Sequence, residues 1–356
     1  MNNFFIEKNE IGIKKPLYFI ADIAANHDGD INRAYKLIEL AKESGAHAAK
    51  FQNFNASTIV SKHGFEKMNS KVSHQSNWKK SVYETYEEAS IPYDWTPKLK
   101  KKCEEVGITY FTSPYDFQSV DLVDPYVSAY KIGSGDVTWH EIVEYIAKKN
   151  KPVLIATGAS TLNEVKLAME ILLRNSKNII LMQCNTNYTA SRENFKYINL
   201  NVLKTYNKLF PKAVLGLSDH THGHSTVLGA IPLGARVFEK HFTDSNKREG
   251  PDHKFAMNPK SWKTMVSYAN EVYNALGDGK KVIEENEKET AIVQRRGLRF
   301  TRNLKCGHTV NESDLISLRP LNRDGLEPYK IKLVSGKKIN KNVIADDYVR
   351  MEDLVN

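Results

Sequence analysis

Short apolar runs alternate with amphipathic segments along residues 1–280, and that rhythm admits few folds. The apolar runs fall at 17–21, 48–51, 109–111, 128–131, 153–156, 179–183, 214–217 and 237–240. Helical patterns lie among and after them, at 31–44, 97–106, 139–149, 162–174, 200–209 and 259–276. Strand, helix, strand, helix in one series predicts parallel βαβ units. Eight candidate strands favour a closed (β/α)8 TIM barrel over an open doubly wound sheet. No G-x-G-x-x-G opens a helix, so the dinucleotide-binding form of the open sheet lacks its main signal.

The rhythm stops at residues 277–290, GDGKKVIEENEKET, a polar stretch that reads as a linker or a solvated helix. Beyond it, strand-like runs at 298–301, 316–318 and 348–351 are separated by turns. The expected organisation is a catalytic barrel over 1–280, a linker over 281–296 and a small β-rich domain over 297–356. A chain of 356 residues has room for both, since a domain takes about 150 residues.

Composition narrows the class. Hydrophobic residues make up 41% and charged residues 26%, so a core of normal size forms and wholesale disorder is excluded. No run reaches the ~18 apolar residues of a membrane span, and the N-terminus lacks the apolar stretch of a signal peptide. Cys103, Cys184 and Cys306 are too few and too scattered for a disulfide framework, which predicts a reduced, cytoplasmic protein. The net charge of +9 is spread along the chain rather than gathered. One run without an acid, Arg295, Arg296, Arg299, Arg302 and Lys305, reads as a solvated or interface face. No aromatic-interleaved basic stretch supports a nucleic-acid partner, and nothing points to a membrane partner.

In such a barrel the reacting groups gather where strands run out into the following loops. Strand one is followed by Asp22, Asn26 and His27, and strand two ends in Lys50 and Gln52. Strand three runs into Thr112 and Ser113, strand four into Lys131, Ser134 and Asp136, and strand six into Gln183, Asn185 and Thr186. Strands seven and eight end in Ser218-Asp219-His220 and Glu239-Lys240-His241. Lysines, hydroxyls and glycines aimed at one mouth suit a substrate carrying phosphate and carboxylate. The same lysines also read as structural partners of Asp22 or Asp136, since an unpaired buried ammonium is costly. His220 and His241 end neighbouring strands, where two converging imidazoles either hold a divalent metal with open positions or do without one. His222 and His224 fall on a loop and read as solvated; Cys184 reads as a packed thiol.

Together N-H-D-G (26–29), K-F-Q (50–52), Y-K-I-G-S-G-D (130–136), G-L-S-D-H-T (216–221) and E-K-H-F-T…G-P-D-H (239–253) resemble the N-acetylneuraminate (sialic acid) synthase family. That family includes legionaminate and pseudaminate synthases. The tail, with Lys305-Cys-Gly, Asp314-Leu and Leu318-Arg319-Pro320, resembles its small antifreeze-like (SAF) domain. The resemblance implies a transferase joining phosphoenolpyruvate to an open-chain N-acetylated amino sugar, with release of phosphate. The sugar would be N-acetylmannosamine or a bacterial diacetamido-trideoxyhexose, and the product a nonulosonic acid.

The same resemblance implies His220 and His241 as ligands of a divalent metal, Mn²⁺ with Mg²⁺ or Co²⁺ as substitutes. It implies Lys50, Ser113, Lys131, Ser134, Thr186 and Ser218 around phosphoenolpyruvate. Asp22, Gln52, Tyr188 and Asp252 would face the sugar, with Asp22, Lys50, Gln52 and Asp136 as catalytic groups and Asp136 beside an attacking water. Arg319 would reach the sugar in the partner subunit of a domain-swapped homodimer.

Departures from the family fall on the sugar side and the phosphate rim. Glutamates of the family are Asp22 and Asp136 here, each one methylene shorter, while proton transfer wants a reach of about 3 Å. Thr186 stands for an asparagine, Thr189 for a proline, and the turn from Arg319 to Gly325 is longer. Two alternatives stay open. One is a related 3-deoxy-ulosonic acid synthase using a phosphorylated sugar, which needs a second phosphate site at the mouth. The other is a carbohydrate-binding homologue that has lost catalysis.

Overall fold

A computed structural model describes residues 3–68, 75 and 78–356. It divides into two compact units, Met1–Leu276 and Gly277–Asn356. The first opens with an antiparallel hairpin, β1 (Phe4–Ile6) and β2 (Asn9–Ile11). Eight parallel strands follow: β3 (Tyr18–Asp22), β4 (Ala48–Asn53), β5 (Thr109–Pro114), β6 (Tyr130–Ile132), β7 (Val153–Ala156), β8 (Ile179–Cys184), β9 (Val214–Asp219) and β10 (Ala235–His241). β10 pairs with β3 and closes the barrel, the (β/α)8 architecture expected from the rhythm. Most strands continue past their apolar runs at the C-terminal end. Asp22, Gln52, Ser113, Asp219 and His241 are polar yet remain in the ladder, so the barrel itself carries the candidate groups.

The covering helices show why the periodicity was readable where segments are long. α1 (Ile31–Glu43) buries Ala34, Leu37, Ile38 and Ala41, one stripe at helical spacing. Its N-terminus is capped by Asp30, whose carboxylate accepts from the Asn32 amide at 2.8 Å. Between β4 and β5 stand three short helices, α2 (Ala56–Ile59), α3 (Lys62–Lys67) and α4 (Val82–Ala89), then α5 (Trp95–Val106). The circuit continues with α6 (Phe117–Val123), α7 (His140–Ala147), α8 (Leu162–Asn175), α9 (Val202–Leu209), α10 (Ser225–Ala230) and α11 (Pro259–Ala275). Pattern reading missed α2, α3, α4, α6 and α10. None exceeds 8 residues, which leaves little length for an apolar stripe; α7 and α9, also 8 residues, were the shortest to be read.

The second unit has its own core, including Leu298, Phe300, Val310, Val334, Ile339 and Val349. Within 281–296 the chain forms an exposed helix, α12 (Lys288–Gln294). β11 (Gly297–Phe300) pairs with β12 (Leu315–Leu318), α13 (Ile331–Val334) follows, and β13 (Lys338–Ile339) pairs with β14 (Leu354–Val355). The strand expected at 348–351 does not form. Tyr348 makes a single bridge to Arg299 before a 3-10 turn at Met351–Asp353. Buried Val349 donates to Leu298 but accepts from Leu326, so its two bonds go to different segments and no ladder grows.

The basic run is exposed except at Arg299. Arg302 donates to Asp314 at 2.8 and 3.0 Å, Arg295 pairs with Glu327, and the buried Arg299 guanidinium lies 3.9 Å from the Tyr348 ring centroid. Among the described residues no helix is long and apolar enough to cross a membrane.

Candidate active site

Strand register assembles the floor of a cavity. His241 on β10 lies opposite Asp22 on β3, and Asp22 lies opposite Lys50 on β4. The Lys50 ammonium is 2.6 Å from the Asp22 carboxylate and 3.9 Å from Glu239, and it donates to the Ser113 hydroxyl at 3.4 Å. Lys131 lies 3.2 Å from the same Glu239, which also accepts from Ser218 at 3.2 Å. The remaining Glu239 oxygen, Oε2, is buried without a hydrogen-bond partner. Lys50 thus pairs with Asp22 as the structural reading expected. Lys131 pairs with Glu239 instead of Asp136.

Burial sets the charge states of this floor. It holds the Asp22 carboxyl above its usual range, with Glu239 pushing the same way, although Lys50 opposes both. For Glu239 burial also pushes up, but Lys131 and Lys50 overcome it and bring the group to about 2. Burial disfavours the Lys50 cation, yet Asp22 and Glu239 together raise it above the ordinary lysine value.

Above the floor runs the loop after β6. The Ser134 hydroxyl accepts from the Gly158 amide at 2.9 Å. A Cβ on Gly158 would meet Thr186 Cγ2 at 2.5 Å, so only glycine lets this backbone approach so closely. Asp136 is pushed up to about 6 by burial, against the pull of Lys131. The cavity, of about 440 Å³, is lined by Asp22, Lys50, Gln52, Lys131, Ser134, Asp136, Thr186, Tyr188, Ser218, His220, His241 and Asp252. Ser113 touches Lys50 without lining it, and Arg319 belongs to the second unit, exposed after β12.

His220 and His241 face each other with ring centroids 5.3 Å apart. His220 Nδ1 lies 2.9 Å from the Asn185 carbonyl, which can only accept, so the proton sits there and the Nε2 lone pair remains. His241 Nδ1 is buried with no hydrogen-bond partner; Asp22 and Asp252 approach the ring only to 3.7 and 3.8 Å. Burial lowers His220 to about 3, helped by His241, and lowers His241 to about 4. Both are neutral imidazoles at ordinary pH, the form that binds metal. These two side chains fit a divalent cation. Among the described residues no cluster of three or more His, Cys, Asp or Glu is arranged for a metal, so an ion here would keep positions open for water or substrate.

The sugar-side candidates close the remaining edge. Gln52 donates to Asp22 at 3.3 Å, and Asp252 accepts from the Ala25 amide at 3.3 Å. The Tyr188 ring centroid lies 4.2 Å from that of His220. His253, fully buried, contacts Asp28 and Thr243, each at 2.8 Å. N-H-D-G and G-P-D-H are therefore two halves of one clasp that ties the loops after β3 and β10. His222, exposed, reaches the Ala190 carbonyl, and half-buried His224 stands edge-on to Tyr268. The Cys184 thiol is pushed up to about 11 by burial, as befits a packed, protonated group.

The NeuB family model matches residues 37–281, and the SAF domain matches residues 295–355. This chain belongs to the NeuB family. It is 32% identical over 342 residues to the N,N'-diacetyllegionaminic acid synthase of Campylobacter jejuni, covering 95% of the chain and 100% of that protein. It is 30% identical over 348 residues to the N-acetylneuraminate-9-phosphate synthase of Homo sapiens, covering 97% and 94%. The N-acetylneuraminic acid (sialic acid) synthetase of Leptospira borgpetersenii, solved with citrate, matches with a TM-score of 0.71 at 25% identity, over 81% of this chain and 95% of that one. The family read from the ordered motifs is the one found.

Several residues assigned to the mouth of this NeuB-family barrel do not line the cavity, Asn26, His27, Thr112, Gln183 and Asn185 among them, and two others form a site of their own. Lys240 and Asp219 pair with each other, joined by the hydroxyls of Thr221 and Thr226, and neither lines the cavity. Strand alternation explains it: Ser218 and Glu239 face inward, so their neighbours face the helices. Sequence reasoning placed Glu239 at the end of strand eight without giving it a role, and passed over Tyr115 and the aromatic residues after β4. The aromatics gave no signal, because their segment has no clear period.

Proposed function

We propose that this chain condenses phosphoenolpyruvate with an open-chain N-acetylated amino sugar, N-acetylmannosamine or a diacetamido-trideoxyhexose, to form a nonulosonic acid and phosphate. The observation that carries this reading is the convergence of two buried lysines and two neutral histidines on one cavity. Relatives that carry sugar-acid synthase names support it.

In the balanced reaction, C3 of phosphoenolpyruvate bonds to the sugar aldehyde carbon, whose oxygen takes up a proton. Water adds to C2 and gives up a proton. The bond from C2 to the phosphate oxygen then breaks, leaving a 2-keto acid and inorganic phosphate.

Each step has residues suited to it. Lys50 and Lys131 hold the carboxylate and phosphate as fixed charges, with Ser113 braced on Lys50 and Ser134, Thr186 and Ser218 supplying hydroxyls. His220 and His241 would hold a divalent cation, Mn²⁺ or its substitutes, which would supply Lewis acidity toward the aldehyde. Asp22, held up by burial, has the proton affinity to serve that oxygen, and Gln52 orients its carboxyl. Asp136, near 6, is poised to take the proton from the attacking water. Tyr188 and Asp252 stand where the sugar body enters. The shorter Asp22 still reaches Lys50 at 2.6 Å and comes within 3.7 Å of His241.

The test is phosphate release from phosphoenolpyruvate with Mn²⁺ across a panel of free and phosphorylated amino sugars. Release with at least one sugar, lost on chelation and in His241→Ala, is expected. Silence with every sugar, together with no calorimetric binding of phosphoenolpyruvate, sinks the reading.

A further inference from the structure

The strand that carries Ser113 also delivers a phenol to the cavity. Tyr115 follows β5 directly, and its amide donates to the Asn53 carbonyl at 3.1 Å, which extends the pairing of β5 with β4 by one bond. Asn53 is itself fixed, donating to Thr96 at 3.2 Å and accepting from Thr112 at 2.7 Å. The Tyr115 ring stands edge-on to Phe54, with centroids 5.9 Å apart. Backbone and ring are both held, and Tyr115 lines the cavity.

Its hydroxyl lies against the turn after β6. A Cβ on Gly133 would meet Tyr115 Oη at 3.1 Å and Cε1 at 3.2 Å, so the glycine leaves room for the phenol. The Asp136 amide donates to the Gly133 carbonyl at 3.1 Å and closes that turn, with Ser134 inside it. Ser134, Asp136 and Tyr115 therefore meet the cavity at one place.

Burial pushes the phenol well above its ordinary value, and Asp136 and then Asp22 add to it, so Tyr115 is neutral. A neutral phenol donates one hydrogen bond and accepts others. Water that adds to C2 must turn a lone pair toward the carbon. One carboxylate fixes one of its hydrogens and leaves it free to rotate, whereas a second acceptor fixes the other.

We infer that Tyr115 is a further catalytic residue: its oxygen accepts from the attacking water whose other hydrogen faces Asp136, and its O–H donates to a phosphate oxygen of phosphoenolpyruvate beside Ser134. As the water oxygen bonds to C2, one proton passes to Asp136 and the phenol keeps its own. This inference rests on the condensation proposed above and concerns only its hydration step.

The experiment is a double-mutant cycle with Tyr115→Phe, Asp136→Asn and the pair. Phosphate release is read at saturating phosphoenolpyruvate, Mn²⁺ and whichever amino sugar the unaltered protein uses, with rates normalised to folded protein. Tyr115→Phe keeps the ring against Phe54 and removes only the hydroxyl. It should lower kcat about tenfold to 10²-fold, with both KM values within about twofold. The pair should fall no more than about threefold below Asp136→Asn, because both groups act on one water.

A kcat for Tyr115→Phe within about twofold of the unaltered protein overturns the inference, and so does a pair whose losses multiply. Either result leaves the condensation standing, since the unaltered protein still releases phosphate. Silence of the unaltered protein with every sugar removes the condensation, and this inference with it.

Discussion

Two sets of buried lysine–carboxylate pairs occupy opposite faces of the same barrel wall. On the outer face Lys240 meets Asp219, and both groups have further partners: Thr221 and Thr226 donate to the carboxylate at 2.8 and 2.7 Å, and the ammonium also reaches the Thr221 carbonyl at 2.7 Å. On the inner face Lys131 has only Glu239 at 3.2 Å, Lys50 is shared by two carboxylates, and Glu239 Oε2 has no partner. A pair whose carboxylate is held by several donors serves to hold the structure. An unsaturated one carries an uncompensated desolvation cost that a ligand can relieve. Two lysines separated by one strand face are thus a brace and a group left open to a ligand.

That contrast can be broken at its structural end first. Lys240→Met should cost about 3–5 kcal/mol of stability by stranding the Asp219 carboxylate, while kcat/KM of the folded remainder stays nearly unchanged. Denaturant midpoints and active-site-normalised rates separate the two. Burial pushes the Asp219 carboxyl up but Lys240 holds it below its ordinary range. The pair's contribution is therefore full above about pH 4 and is lost as pH falls through the lower folded value.

The inner pair should respond the other way. Lys131→Met is expected to lower kcat/KM about 10²–10³-fold with a smaller loss of stability, because Glu239 keeps Lys50 at 3.9 Å and Ser218 at 3.2 Å. A stability loss as large as that of Lys240→Met would erase the distinction.

The smallest effect sharpens the chemistry. Asp136, near 6, acts as a base only when ionised, so kcat/KM should rise with pH through about 6 and level off above it. Asp136→Asn should lower the plateau about 10²-fold and abolish the acidic limb. An unchanged limb in that variant assigns it to another group.

Legibility followed segment length and residue type. The long stripe of α1 and the apolar runs of the barrel strands announced themselves, and the ordered motifs named the residues of the cavity floor. The short helices α2, α3, α4, α6 and α10 did not, because a segment of about two turns carries little of the helical period. At 348–351 an apolar run was read as a strand, whereas tertiary bonds to two different segments left it as a bridge. For Lys131 the sequence offers Asp22 or Asp136 as structural partners, while its observed partner, Glu239, lies far along the chain on β10.

The sequence by itself determined the (β/α)8 class, the family and the identity of most side chains at the cavity, because periodicity and ordered motifs are local properties of a chain. Tertiary structure alone decided which lysine is a brace and which is open. It also decided that Glu239 sits between Lys50 and Lys131, and that Phe54, Trp78 and Tyr86 line the same cavity. Those relations depend on barrel closure, which brings β10 against β3 and converts distance along the chain into contact across it.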